Sequence, residues 1–333
     1  MRWHRARAEV LFALVISILL SFSVCGCGNE ITVSTITGRE LNAVSSRVPD
    51  VTSFVSRTDG WGVTNENVYS NGIGTPIYHF HKGRWHPIQL SGGVLLRAVS
   101  TVGKDNVYAA GTVGASLAKN TGIIVNFDGK KWKMSSIKLD EDSVLGIIGI
   151  SMVSPSAGWA VSLYGALYRY DGEKWSLVDK LHRSVMINGI TAVSKEECWL
   201  IGDGIYQFKR GKWGKSFTAP NEGGYSMSLV NTTDSWVVGG DGTILHYDGN
   251  AWIEQKSPTK ELLRSIDMLA SDSGWIVGMQ GSVLRYDGTN WQKVAFYPGL
   301  KLESVSGISK NEAWVSGSFE EKAGNTAFLV KVE

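Results

Sequence analysis

Cysteine is scarce in this chain. There are three in 333 residues, two of them within the first 27, which leaves no disulfide framework to organise a fold. Proline is also scarce, at 7, against 39 glycines; with 43% hydrophobic residues the composition is globular and not that of a disordered or collagen-like chain. Charge of one sign is missing as well. Lys and Arg total 33 and Asp and Glu 31, and beyond residue 26 there are 30 of each. A nucleic-acid binder needs a basic excess or stripe, so no nucleic-acid partner is expected. No segment after residue 30 reads as a capped amphipathic helix. What the chain has in excess is tryptophan, 13 in all.

The first thirty residues carry an address. Met1–Glu9 is short and basic, and Val10–Val24 runs fifteen residues without a charge. That is short of the roughly 20 residues a membrane span needs, and the layout suits a secretory signal. The run ends in Val24-Cys25-Gly26-Cys27, which resembles the lipobox of bacterial lipoproteins. The resemblance implies a signal peptide over 1–26, cleavage before Cys27, lipidation of the Cys27 thiol and a tether over 27–30. It makes the chain an exported, envelope-localised protein held to a membrane on its extracytoplasmic side. An ordinary cleaved signal and an uncleaved anchor are the alternatives.

The rest is one repeat. Trp61, Tyr108, Trp159, Trp199, Trp236, Trp275 and Trp314 form one column, spaced 47, 51, 40, 37, 39 and 39 residues apart. Trp85, Trp132, Trp175, Trp213, Trp252 and Trp291 form a second. Each unit holds four short runs of β-branched and aromatic residues with period-2 alternation, such as Val283-Leu284-Arg285-Tyr286. Asp-Gly at Asp128, Asp171, Asp248 and Asp287 marks the hairpin between the third and fourth runs, with the Asp bracing its own turn. Four strands per roughly 40–45 residues make a propeller blade. The expectation over 31–333 is an all-β, seven-bladed β-propeller of four-stranded blades with tryptophans wedged between sheets. The seventh unit stops after three runs, at 302–308, 313–317 and 327–332, so Ile31–Ile36 is expected to supply its outer strand, with Leu41–Ser46 as the weaker candidate. That short tether would put the hairpin-turn face toward the membrane.

The sequence Gly-Trp-x-Val-Gly, then Gly-x-Ile and an Asp-Gly-x-x-Trp hairpin, resembles the bacterial propellers with sialidase-like (BNR or Asp-box) repeats, nearest to the photosystem II assembly-factor type. The Asp-box threonine before the tryptophan is missing, and blades 1 and 4 read His81-Lys82-Gly83 and Lys209-Arg210-Gly211 in place of Asp-Gly. A sialidase would need an arginine cluster, a Tyr nucleophile with a Glu partner and an acidic general acid. The Phe/Tyr-Arg-Ile-Pro motif is absent, so no catalytic residue is assigned.

Two places could hold a partner. The second-to-third-strand loops are long only in blades 1, 2 and 7, over 65–76, 112–122 and 318–326, which are neighbours in a closed ring. They offer Tyr69, Asn71, Lys119, Phe319, Glu320 and Lys322. The start of the inner strand gives a polar column round the central mouth, read as Arg97, Gly146, Asn188, Ser226, Arg264 and Glu303, with Asp50 in blade 1. The assembly-factor resemblance implies basic residues there, matched by Arg97 and Arg264. His79 and His81, with His86 near, could suggest a metal, but His79 aligns with Asn126, Arg169, Gln207, His246 and Arg285, which reads as a solvated strand face. No metal or cofactor is expected, and Cys198 reads as a buried, unpaired thiol. The reading is a monomeric, non-catalytic scaffold with a protein partner on its membrane-distal face; the alternative is a glycan-binding or sialidase-like surface protein.

Overall fold

The computed structural model describes residues 33–36, 39–41, 51–56, 58–63, 74–82, 84–113, 121–139, 146–181, 185–214, 217–218, 224–321 and 324–332. They form seven antiparallel blade sheets in sequence order and a two-stranded N-terminal hairpin, with no α-helix and a single 3-10 turn at Gly240–Gly242. The inner strands are Val51–Ser56, Val94–Thr101, Ile147–Ser154, Ile187–Ser194, Gly224–Asn231, Leu263–Ala270 and Lys301–Ser309. Each packs against the next, and the seventh against the first, so the ring is closed. Blades 1 to 3, 5 and 6 have four strands in simple up-and-down order, and in blade 4 two short strands, Lys212–Trp213 and Phe217–Thr218, share the outer position beside Gly204–Lys209.

The two tryptophan columns meet each other. Trp61 packs edge-on against Trp132 of the next blade, with ring centroids 5.6 Å apart. Trp199 does the same with Trp252 at 5.7 Å, and Trp236 with Trp291 at 5.7 Å. Edge-to-face geometry sets the positive ring edge against the negative face. The polar tips also cross the seam. Trp159 Nε1–H donates to Ser194 O at 2.7 Å and Trp275 Nε1–H to Ser309 O at 3.0 Å. Tyr108, the one departure from tryptophan, reaches Pro155 O through its hydroxyl at 2.6 Å. Burial, with the Tyr170 hydroxyl beside it, pushes the Tyr108 pKa up to about 12. At the ring closure Trp314 stacks on Phe54 of blade 1 at 5.9 Å and meets Phe80 edge-on at 5.3 Å.

A second set of contacts solves an edge problem. One edge of every inner strand has no strand beside it, and unpaired backbone groups are costly. The residue facing the repeat aromatic across the ladder is Ser53, Ser100, Ser151, Thr191, Ser228, Asp267 and Ser306. These side chains clasp the following inner strand. Met152 N–H donates to Ser100 Oγ at 3.0 Å, Ala192 N–H to Ser151 Oγ at 3.0 Å and Met268 N–H to Ser228 Oγ at 2.9 Å. Asp267 takes the Gly307 N–H at 2.8 Å. Ser53 bonds Thr101 at 2.6 Å, and Thr52 bonds Ser304 at 3.0 Å across the closing seam.

The four Asp-Gly turns are braced as expected. In each, the Asp Oδ1 accepts from the backbone N–H two and three residues on, at 2.8–3.1 Å. In blades 1 and 4 the left-handed backbone is carried without Asp-Gly, by Lys82 (φ 52°) and by Arg210 with Gly211 (φ 50° and 79°). Cys198 is buried and unpaired, and desolvation raises its thiol pKa well above the usual range, with the Glu197 carboxylate adding to this.

Blade 7 departs from expectation at two points. Its second and third strands run Glu312–Glu321 and Gly324–Val332, paired from Ala313↔Val332 to Glu321↔Gly324. Residues 318–321 and 324–326 are therefore in a ladder, not a loop, because the extended residues from Ser318 to Glu321 find partners across the hairpin. The N-terminal chain does reach the last blade, but as a hairpin. Arg39–Leu41 lies beside Gly324–Val332 and pairs with Val33–Ile36. A hairpin reverses the chain, so the short tether from Cys27 to the turn face does not carry over.

Trp159 has no exposed surface. Trp159→Ala should cost about 3–5 kcal/mol, read as a lower urea midpoint with an unchanged slope. The Asp128 carboxyl is lowered to about 2, chiefly by the Lys131 backbone N–H and then by the Lys133 ammonium. A lowered folded pKa gives stability that is full above the unfolded value and lost as pH falls through the folded one. Asp128→Asn keeps the turn acceptor without the charge, so the melting difference between wild type and variant should shrink between pH 4 and pH 2.

Candidate functional site

One structural device recurs at the loop-face end of the inner strands. The ladder to the second strand skips a residue between Leu96 and Ala98, Ile147 and Gly149, Ile187 and Gly189, Gly224 and Ser226, Leu263 and Ser265, and Leu302 and Ser304. The skipped residues are Arg97, Ile148, Asn188, Tyr225, Arg264 and Glu303. A bulge leaves one residue out of the ladder and re-aims its side chain, and here all six line one central cavity of about 520 Å³. Leu163, Ile150, Ile187, Ile190 and Val99 supply an apolar wall.

Arg97, Asn188, Arg264 and Glu303 are thus brought together as the sequence suggested, and two members of the column change. Gly146 is not the blade 3 member. Its φ of +76° makes it the turn ahead of the strand, and an added Cβ would strike Thr112 and the Gly111 carbonyl; Ile148 holds the site position. In blade 5 the bulged residue is Tyr225, while Ser226 takes the Ile266 N–H at 3.3 Å. The missed signal was a fixed offset, since every site residue lies eleven positions before its repeat aromatic. Asp50 has that offset too and lies outside the described residues, as do Tyr69, Asn71, Lys119, Lys322 and Cys27. Glu320 is on the described strand Glu312–Glu321. Phe319 is half-buried against the core cluster of Trp275, Val277 and Val315 between blades 6 and 7, so its ring is packing material rather than a displayed contact.

The cavity has uneven electrostatics. Arg264 Nε sits 3.5 Å from Glu303 Oε2, and its guanidinium lies over the Tyr225 ring at 5.6 Å. Its charge is therefore largely answered from two sides. Asn188 Nδ2 donates to Gly224 O at 2.9 Å, tying blade 4 to blade 5 at the rim. Arg97 is different. Its Nε is buried and bonds nothing among the described residues.

The histidine column is not the solvated face expected from the sequence. His79 stacks on Trp61 at 4.0 Å and 9°, and its Nε2 lies 3.3 Å from Asp59 Oδ1. His246 repeats this on Trp236, with Nε2 2.9 Å from Asp234 Oδ1. The imidazole is flat enough to lie on the indole and polar enough to bond the acid beside it. His81 and His86 continue the stack, with centroids 4.8 Å from His79 to His81 and 4.0 Å from His81 to His86. No group of three metal-ligating side chains converges among the described residues.

Neither a protein-family model nor a curated protein matches this chain in sequence. Solved propellers match it in shape. YCF48 bound to D1 peptide aligns with a TM-score of 0.64 at 17% identity, over 92% of this chain and 100% of that one. YCF48 from Cyanidioschyzon merolae gives 0.60 at 15%, over 85% and 94%. The WD40 propeller domain of Doa1 gives 0.64 at 13%, over 88% and 97%. At these identities the likeness is one of fold: the chain is similar to propellers of the YCF48 and WD40 kinds.

Proposed function

We propose that this chain is a non-catalytic, envelope-anchored scaffold that binds a segment of another protein in the central cavity of its loop face. The observation that carries this is the cavity itself. Six blades place a bulged side chain round one mouth, and one of those side chains, Arg97, has a buried nitrogen without a partner among the described residues. A built, concave site with few oriented polar groups and an apolar wall is what ligand recognition requires. YCF48 was solved with a peptide bound, which supports a protein segment as the ligand class. The rigid ring holds the site at no ordering cost to the scaffold, and the ribbon of Glu312–Glu321 and Gly324–Val332 stands on the same face. The anchor in this reading is the lipid on Cys27.

Photocrosslinkers placed in cells at Leu163, which lines the cavity, and at Lys195 on the turn face should separate the two faces. Capture of one defined protein from position 163 and not from 195 is expected, with capture reduced at least about tenfold by Arg97→Glu. Capture from 195 alone would move the working face to the turns. Cys27→Ser should release the protein from the membrane fraction, and retention would remove the lipid anchor from the proposal.

A further inference from the structure

The described residues of the seven inner strands hold five charged side chains. Arg97, Arg264, Lys301 and Glu303 lie toward the loop face. The fifth, Asp267, lies deeper, where the other six blades carry Ser or Thr. Its recorded bond is the neutral one from Gly307 N–H at 2.8 Å. No Lys, Arg or His pairs with it among the described residues. The elements packed against its strand are Gly224–Asn231, Asp234–Gly239, Gly240–Gly242, Ser273–Gly278 and Lys301–Ser309, whose titratable groups are Tyr225, Asp234, Asp241, Lys301 and Glu303; Asp234 is held by Trp236 and His246, and none of these groups is paired with Asp267. Asp267 keeps part of its surface open and lies deep in the protein. That enclosure raises its carboxyl to about 6, against the lowering effect of the Gly307 N–H.

An enclosed carboxylate with one neutral donor is incomplete, because charges inside proteins are paired. The clasp alone does not explain the acid, since a serine makes the same bond in blades 2, 3 and 5. Ser265, two residues above Asp267 on the same strand, already lines the cavity. Val99, Ile150 and Ile190 line its apolar wall. A side chain that enters there needs an apolar stem and a cationic end, which describes lysine and arginine.

We propose that Asp267 seats a cationic side chain of the bound protein segment, whose stem passes the apolar wall and whose ammonium or guanidinium reaches past Ser265 to this carboxylate, below the cavity lining. The inference rests on the protein-segment reading and adds what that segment must contain. Arg97 at the rim and Asp267 below the lining then read opposite charges of one ligand.

Random peptides displayed on phage and selected on the full chain test this. Peptides selected by wild type should share one fixed Lys or Arg. They should bind Asp267→Ser at least about tenfold more weakly, and their Lys→Met versions should bind both proteins alike. Wild-type affinity should fall as pH drops from 7.5 to 5, because the carboxyl becomes neutral, while Asp267→Ser stays flat. Asp267→Ser keeps the clasp and removes an enclosed charge, so it should melt no lower than wild type at pH 7.5. Peptides without a fixed basic residue, or equal binding by Asp267→Ser, overturn the cation seat and leave protein binding standing. Failure of wild type to select any peptide removes the protein-segment reading, and the inference with it.

Discussion

The ring is held by an indole from one blade pressed edge-on against an indole from the next. Seven sheets of four short strands cannot bury their faces alone, and the space between radially arranged sheets widens outward. Tryptophan is the side chain large enough to fill that gap, and its N–H gives a second hold on the neighbouring turn, as Trp159 has on Ser194. Where tyrosine replaces it in blade 2, the hydroxyl finds an equivalent carbonyl on Pro155. Near the axis the sheets come too close for rings, and short hydroxyl side chains take over. One repeat thus solves two problems at two radii.

Much of this was legible in the sequence because the constraints repeat. Seven aromatics at regular spacing gave the blade count, and Asp-Gly before the second tryptophan located the hairpins whose carboxylates now brace Lys130, Glu173, Asn250 and Thr289. The mouth was legible in outline. Its exact membership was not, because a bulge shifts register by one and composition does not mark it; Ile148 and Tyr225 look like ordinary strand residues. The seventh blade misled for a related reason. Glu320 reads as a loop residue by type, yet the backbone ladder runs on through it to Glu321. His79 was misread because a polar column looks solvated until its flat partner, Trp61, is seen beneath it.

The cavity shows how a uniform scaffold acquires an individual site. The bulge is common to six blades and puts a side chain at the mouth each time. What differs is chemistry: two guanidiniums, a carboxylate, an amide, a phenol and a sec-butyl branch. Backbone geometry is therefore supplied by the repeat, and recognition by substitutions at positions of which only Ile148 packs against an inter-blade core.

The clasps of blades 2, 3, 5 and 6 point the same way round, each side chain taking an N–H of the blade after it. Such head-to-tail bonding uses two unlike surfaces per unit, a giving side and a receiving side. Any blade carries both, so a copied blade can be inserted beside its parent and find both neighbours already fitted to it. The molecule is in this sense a chain of like couplings bent into a circle.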